Sequence, residues 1–232
     1  MLAELPADFV FIDTEHIAID REKLSWMCQA YRHAGLPPVV RIPSPDPDAA
    51  CQALDGGACA LVAPYIETAA QVRALVGAVK GRPLKGARLA AALDGRAPLE
   101  PVLQTYLEER NRASVLIANI ESAPAINALD EILAVAGLDA VLVGPHDLSC
   151  SLGLPERYDA PEFGAAVGTI FRKARAAGLG AGIHSWMPVA REAAWCEAGA
   201  NFIIHSSDLR AARDTLGAEL RALRQRTGVQ AN

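Results

Sequence analysis

Two segments, Ser114-Val-Leu-Ile-Ala-Asn-Ile-Glu121 and Ala140-Val-Leu-Val-Gly-Pro-His-Asp147, decide how this chain folds. Each is an apolar run of strand length that stops at a carboxylate. Between them Pro124 to Gly137 reads as one helix, with Ile126, Leu129, Ile132, Leu133 and Val135 on its apolar face. A strand, a helix and a strand make a crossover unit, so the two strands run parallel and end on the same side. Mg2+ takes oxygen ligands, usually one or two carboxylates, and leaves positions for water and substrate. Glu121 and Asp147 at neighbouring strand ends therefore read as a divalent-metal pair. Each alone suits equally well the start of the helix that follows it, where acids and small polar residues are favoured, and Ser149 shares that alternative.

The same pattern extends in both directions. Phe9–Ile12 ends at Asp13, Val39-Val40 at Arg41 and Ala60–Ala63 at Pro64. Gly180–Ile183 ends at His184, and Phe202–Ile204 at His205. Helices are predicted over 20–34, 48–54, 68–79, 99–111, 161–177, 188–198 and 209–226, with Thr68 and either Ser207 or Asp208 as N-caps. Residues 81–98, broken by Gly81, Pro83, Gly86, Gly95 and Pro98, are expected to form a long active-site loop, and 148–159 another loop. Regular alternation of this kind means an α/β fold with a parallel sheet. The count is seven strands, one short of an eight-stranded barrel at the front. Met1–Pro6 reads as the tail of a helix with a strand before it, and 227–232 as a fraying end.

Composition narrows the function. With 232 residues, 51% apolar and 21% charged, the chain can bury one substantial core, and 1–232 is read as a single domain. A net charge of −5 with no basic run argues against nucleic acid as a partner. No apolar run approaches the roughly 18 residues of a membrane span, and the N-terminus has no signal-peptide pattern. Five scattered cysteines without metal spacing suggest core thiols, reduced in a cytoplasmic setting.

Polar residues collect at the C-terminal ends of strands, the face that carries the active site in barrels of this kind. Asp13, three residues before His16, can turn back on the imidazole, setting its tautomer and raising its basicity. It can also simply cap the turn and leave His16 in solvent. Glu15 is read as a supporting acid. Arg41 needs an anion to offset its burial, whether a substrate oxygen or a structural carboxylate across the mouth. Asn119 shares a strand face with Glu121. Gly144 brings backbone close to the site, so that the amides of His146 and Asp147 could bind a substrate carboxylate. His184 and His205 are read as rim histidines outside the catalytic set. None of the four lysines, Lys23, Lys80, Lys85 and Lys173, falls in a predicted strand, which disfavours Schiff-base chemistry.

These residues give the chain a resemblance to the HpcH/HpaI family of class II, metal-dependent pyruvate aldolases, relatives of the citrate lyase β subunit. The matching pieces are Phe-Ile-Asp13-Thr-Glu15-His16, Val-Val-Arg41-Ile-Pro, Leu-Val-Ala-Pro64, Asn119-Ile-Glu121-Ser and Gly144-Pro-His-Asp147-Leu-Ser149, in the family's order. The resemblance implies a (β/α)8 TIM barrel of the phosphoenolpyruvate/pyruvate type, here lacking the first strand. It implies Glu121 and Asp147 as ligands of Mg2+, Mn2+ or Co2+, Arg41 as the substrate-binding arginine, and His16 with Asp13 as the acid–base pair. Gly86-Ala87-Arg88 looks like the family's glycine–arginine loop, which makes Arg88 a substrate-binding candidate. The expected reaction joins a pyruvate enolate to an aldehyde, or reverses that step. Oxaloacetate decarboxylation, acyl-CoA cleavage and non-catalytic binding of a small acid are the alternatives. The chain departs from the family at Asn119, usually Gln; at His146, often small; and at Leu89, usually Gly. The resemblance also implies a hexamer built from dimers that exchange the last helix, about 208–226, and the spacing of Leu209, Leu216, Leu220 and Leu223 is compatible with this.

Overall fold

A computed structural model describes residues 4–228. The expectations for 1–3 and 229–232 therefore lie outside the described residues. Seven strands form one parallel sheet in chain order: β1 (Val10–Asp13), β2 (Pro38–Arg41), β3 (Ala60–Ala63), β4 (Val115–Ile120), β5 (Ala140–Val143), β6 (Gly180–Ser185) and β7 (Phe202–His205). The sheet curls into a nearly closed α/β barrel. Among the described residues no eighth strand joins β7 to β1.

The pleat sorts every strand into an inner and an outer face. Val39, Ala60, Val62, Ile117, Ala140, Leu142 and Ile204 fill the barrel, with Phe9, Phe11 and Phe202 packed against them. Alternate residues, including Val40, Leu61, Leu116, Val141 and Ile183, pack outward against the helices. Burial on both faces is why these strands read as continuous apolar runs. Gly182 is required inside the barrel, since a Cβ there would lie 2.3 Å from the Phe202 ring.

The helices are α1 (Arg21–His33), α2 (Pro47–Asp55), α3 (Ala69–Lys80), α4 (Gly86–Leu93), α5 (Pro101–Asn111), α6 (Ala123–Asn127), α7 (Leu129–Leu133), α8 (Pro145–Ser151), α9 (Pro161–Ala176), α10 (Val189–Glu197) and α11 (Asp208–Thr227). Their starts are chemically marked. Asp20 caps α1, Ser207 caps α11, and Thr68 with Gln71 forms a reciprocal capping box on α3.

Three segments differ from the sequence reading. The predicted loop over 81–98 contains α4, whose leucines pack on the last turns of α3 around Gly77 and Gly81. The single helix predicted over 124–137 is two short helices broken at Ala128. The loop predicted from Leu148 is largely replaced at its start by α8. α11 buries none of its residues, and Leu209, Leu216, Leu220 and Leu223 are all more than half exposed.

Candidate active site

The C-terminal strand ends converge on one polar cluster. Asp13 and Arg41 are register partners at the ends of β1 and β2, and both point inward. Arg41 Nε donates to Asp13 Oδ1 at 3.0 Å, Nη2 bonds Asp13 Oδ2, and Nε lies 3.1 Å from Glu15 Oε2. Only 7% of Arg41 is exposed. Such a buried cation is tolerable because two carboxylates meet it. Burial alone would raise the Asp13 carboxyl, but the Arg41 hydrogen bond and charge outweigh it and hold Asp13 below the usual carboxylate range.

His16 Nδ1 sits 2.9 Å from Arg41 Nη2, 3.4 Å from Asp13 Oδ2 and 3.7 Å from Glu15 Oε2. A guanidinium only donates, so Nδ1 accepts from it and the neutral ring carries its proton on Nε2. The expected Asp13–His16 pair is thus a triad in which Arg41 takes most of Asp13. Asp13 Oδ1 also accepts from the backbone N–H of Glu15, as a turn cap does. The two alternatives raised for Asp13 coexist.

Across the mouth, Glu121 follows β4 and is 6% exposed. Its Oε1 accepts from the Tyr65 backbone N–H at 2.7 Å, and its Oε2 accepts from Asn119 Nδ2. Burial, with the charges of Asp147 and Glu15, pushes its carboxyl up to about 7, against the Tyr65 N–H and Arg41. Glu121 does not cap the next helix, because Ser122 does so by accepting from the Ala125 N–H. Asp147 lies in the first turn of α8, where no side chain makes a capping bond. Gly144 is needed for this arrangement, since a Cβ there would lie 2.8 Å from Glu121 Oε2.

Three residues of the site were not among the sequence candidates. Tyr65 adopts the left-handed region at φ 53, a strained conformation that presents its N–H to Glu121. Hydrogen bonding to Glu15, that acid's charge, and the neighbouring carboxylates push its phenol up to about 12. His184 shares the inner face of β6 with Gly182, and its ring lies 5.3 Å from that of Phe11. Burial, and then Arg41, pull its pKa down. Trp186, two residues on, contacts the His184 ring. Inward parity with Gly182 was the available signal for His184. Nothing local marked Tyr65.

Arg88 is the candidate the fold does not bring to the site. It lies on α4 and pairs with Glu100. α4 packs on the end of α3 that leads back toward the start of β4, away from the strand C-termini. His205 bonds Glu192 at 2.8 Å on the outer side of β7. His146 is exposed, with Tyr158 Oη 3.5 Å from its Nδ1. A groove of about 520 Å3 between α1 and α2 is lined by Thr14 and Ile42, which alternate with Asp13 and Arg41, so it opens on the outer side of the barrel.

The sequence matches the family model described as HpcH/HpaI aldolase/citrate lyase over residues 1–215. It is 35% identical over 225 residues to 2-keto-3-deoxy-L-rhamnonate aldolase of Escherichia coli strain K12, covering 94% of this chain and 83% of that protein. The crystal structure of an HpcH/HpaI aldolase from Desulfitobacterium hafniense DCB-2 superposes with a TM-score of 0.82 at 27% identity, covering 96% of this chain and 85% of the other. That of the citrate synthase SbnG gives 0.83 at 29% identity, covering 98% and 88%.

Proposed function

This chain belongs to the HpcH/HpaI aldolase/citrate lyase family, and from that premise we propose a metal-dependent aldolase that makes or cleaves 4-hydroxy-2-oxo acids. The substrates would be a 2-oxo acid such as pyruvate and an aldehyde. Relatives named as 2-keto-3-deoxy-L-rhamnonate aldolases support the 2-oxo acid half of that product, the half that pyruvate supplies.

One observation carries the reading. Glu121 is a buried carboxylate whose neighbours Asp147 and Glu15 are also acids, and its carboxyl is pushed up to about 7. That is the electrostatic environment of a site that completes itself with a cation. The donors are hard oxygens, which fit Mg2+, Mn2+ or Co2+. Glu121 and Asp147 would hold the ion, in keeping with the family's metal dependence. When bound there, a divalent cation supplies Lewis-acid chemistry to the 2-oxo acid carbonyl.

The chain's own groups do the rest. Arg41 has Nε and Nη2 committed to Asp13, Glu15 and His16, a rigid fork whose charge faces the oxyanion that develops as pyruvate is deprotonated. The backbone amides of His146 and Asp147, at the start of α8, would receive the substrate carboxylate. Asn119 holds Glu121 in one rotamer. In cleavage the His16 ring, its Nδ1–H turned from Arg41 onto Asp13, takes the 4-hydroxyl proton at Nε2 and becomes an imidazolium. In the synthetic direction that imidazolium gives the same Nε2 proton to the aldehyde oxygen and is left neutral. All four lysines lie outside the strands, on helices or at a helix cap, which supports this route over a Schiff base.

The likeness to a citrate synthase supports a second reading, in which the same enolate meets an oxo acid rather than an aldehyde. The exposed leucine stripe of α11 supports helix exchange within a dimer-based hexamer, and five free thiols support a cytoplasmic setting. The first test is deuterium exchange into the pyruvate methyl group without any acceptor. Exchange should need divalent metal, stop with chelator, and stop in Glu121→Gln. Trapping of pyruvate by borohydride would overturn the mechanism.

A further inference from the structure

The residues that end or follow β1, β2, β4 and β5 toward the mouth, Asp13, Arg41, Glu121 and Asp147, are charged, but the β6 side of the mouth is aromatic. His184 lies on the inner face of β6, and the ring of Trp186, just past the strand end, packs against it. Their ring centroids are 6.0 Å apart at 87°. Trp186 also meets Tyr158 at 6.3 Å and 86°. Tyr158 in turn packs at 5.6 Å on the fully buried Phe163, which ties the wall to the core. At its other end Tyr158 Oη approaches His146, the neighbour of Asp147. Edge-to-face contacts are the arrangement that ring quadrupoles favour, so this is a held surface rather than a loose group of side chains.

The wall reaches from Phe11, which touches both the His184 ring and the Arg41 guanidinium, to the loop beside the proposed ligand Asp147. Trp186 is only half-buried there. The Tyr158 hydroxyl faces His146 at 3.5 Å, and the three rings leave flat apolar area open at the mouth.

We infer that His184, Trp186 and Tyr158 seat the side chain of the acceptor aldehyde, and that this side chain is an aromatic or similarly flat apolar group. The inference rests on the aldolase reading above and adds the class of acceptor to it. The 2-oxo acid occupies the polar side, and the aldehyde carbon meets it with its substituent laid on Trp186.

The test measures kcat/KM with pyruvate and Mn2+ for benzaldehyde and for glycolaldehyde. The wild type should prefer benzaldehyde. Trp186→Ala should lower the benzaldehyde-to-glycolaldehyde ratio about tenfold or more, mainly through KM for benzaldehyde, since one lost aromatic contact plus its buried area is worth roughly that factor. Trp186→Phe should restore most of the ratio, which a merely structural role for Trp186 would not require. A wild type that prefers glycolaldehyde, or a Trp186→Ala ratio equal to the wild type's, overturns the inference. Methyl-proton exchange of pyruvate in the wild type separates the two levels. Exchange without the aromatic preference defeats only the acceptor assignment, whereas no exchange with metal defeats the aldolase reading beneath it.

Discussion

Replacing Glu121 by Gln should abolish activity and yet make the metal-free protein more stable. Glu121 ionises near 4.5 when unfolded and near 7 in the folded chain. A carboxyl raised in this way weakens folding as pH climbs between those values, because the unfolded chain gives up its proton first. Above pH 7 the cost levels off at about 3 kcal/mol. Gln keeps the shape and removes the charge. Its Oε1 can still accept from the Tyr65 N–H, and its amide meets Asn119, whose Oδ1 is buried without a partner and can be turned to accept. The hydrogen bonds lost in this exchange reduce the gain to about 1–2 kcal/mol, or roughly 2–8 °C in Tm for a chain of this size. The assay is thermal unfolding in chelator. Glu121→Gln should melt above the wild type at pH 8, and the two should converge near pH 5, where the wild-type carboxyl is protonated when folded. Added Mn2+ should then raise the wild type and leave the variant where it was. A variant that melts below the wild type in chelator at pH 8, or that gains as much from metal, refutes the reasoning.

Other perturbations follow from the same geometry. Gly144→Ala places a Cβ 2.8 Å from Glu121 Oε2, so metal titration should show affinity lower by about tenfold or more with the fold retained by circular dichroism. Arg41→Lys cannot keep both Asp13 and Glu15 while serving a substrate oxygen, and pyruvate proton exchange should fall about 100-fold or more. Replacing Leu216 and Leu220 on α11 by Glu should convert the proposed dimer-based hexamer to smaller species by light scattering; a wild type that is monomeric, or an unchanged mass, would refute helix exchange. Arg41 holds the Asp13 carboxyl below its ordinary range, so the stability this pair contributes is lost as pH falls from that range down through the lowered folded value, the unfolded chain taking up its proton first. Asp13→Asn should flatten that limb of the pH–stability curve.

Much of the site was legible because of what a parallel strand demands. Burial on both faces forces an apolar run, so the first polar residue after each run marks the strand end. Asp13, Arg41, Glu121 and Asp147 were singled out near those ends, and the structure sets the first two in register and lets the charge of Asp147, in the first turn of α8, act on Glu121. Local pattern failed where a contact between distant segments decides. α4 forms because Leu89 and Leu93 find the Gly77 and Gly81 surface of α3, which breaker counting over 81–98 does not register. The same packing carries Arg88 away from the strand ends. His184 was set aside as a rim histidine, although its parity with Gly182 already turned it inward.

The amino-acid sequence alone determined the seven strands and their parallel run, and singled out Glu121 and Asp147 as the carboxylates that follow the central two. These follow from hydrophobic periodicity, a property of neighbours along the chain. Only the tertiary structure decided that Arg41 rather than His16 holds Asp13, that Ser122 leaves Glu121 free of the helix cap, and that His184 and Trp186 face the mouth. Each of those outcomes is a choice among partners far apart in sequence, settled by which charged and aromatic groups the closing barrel brings within reach.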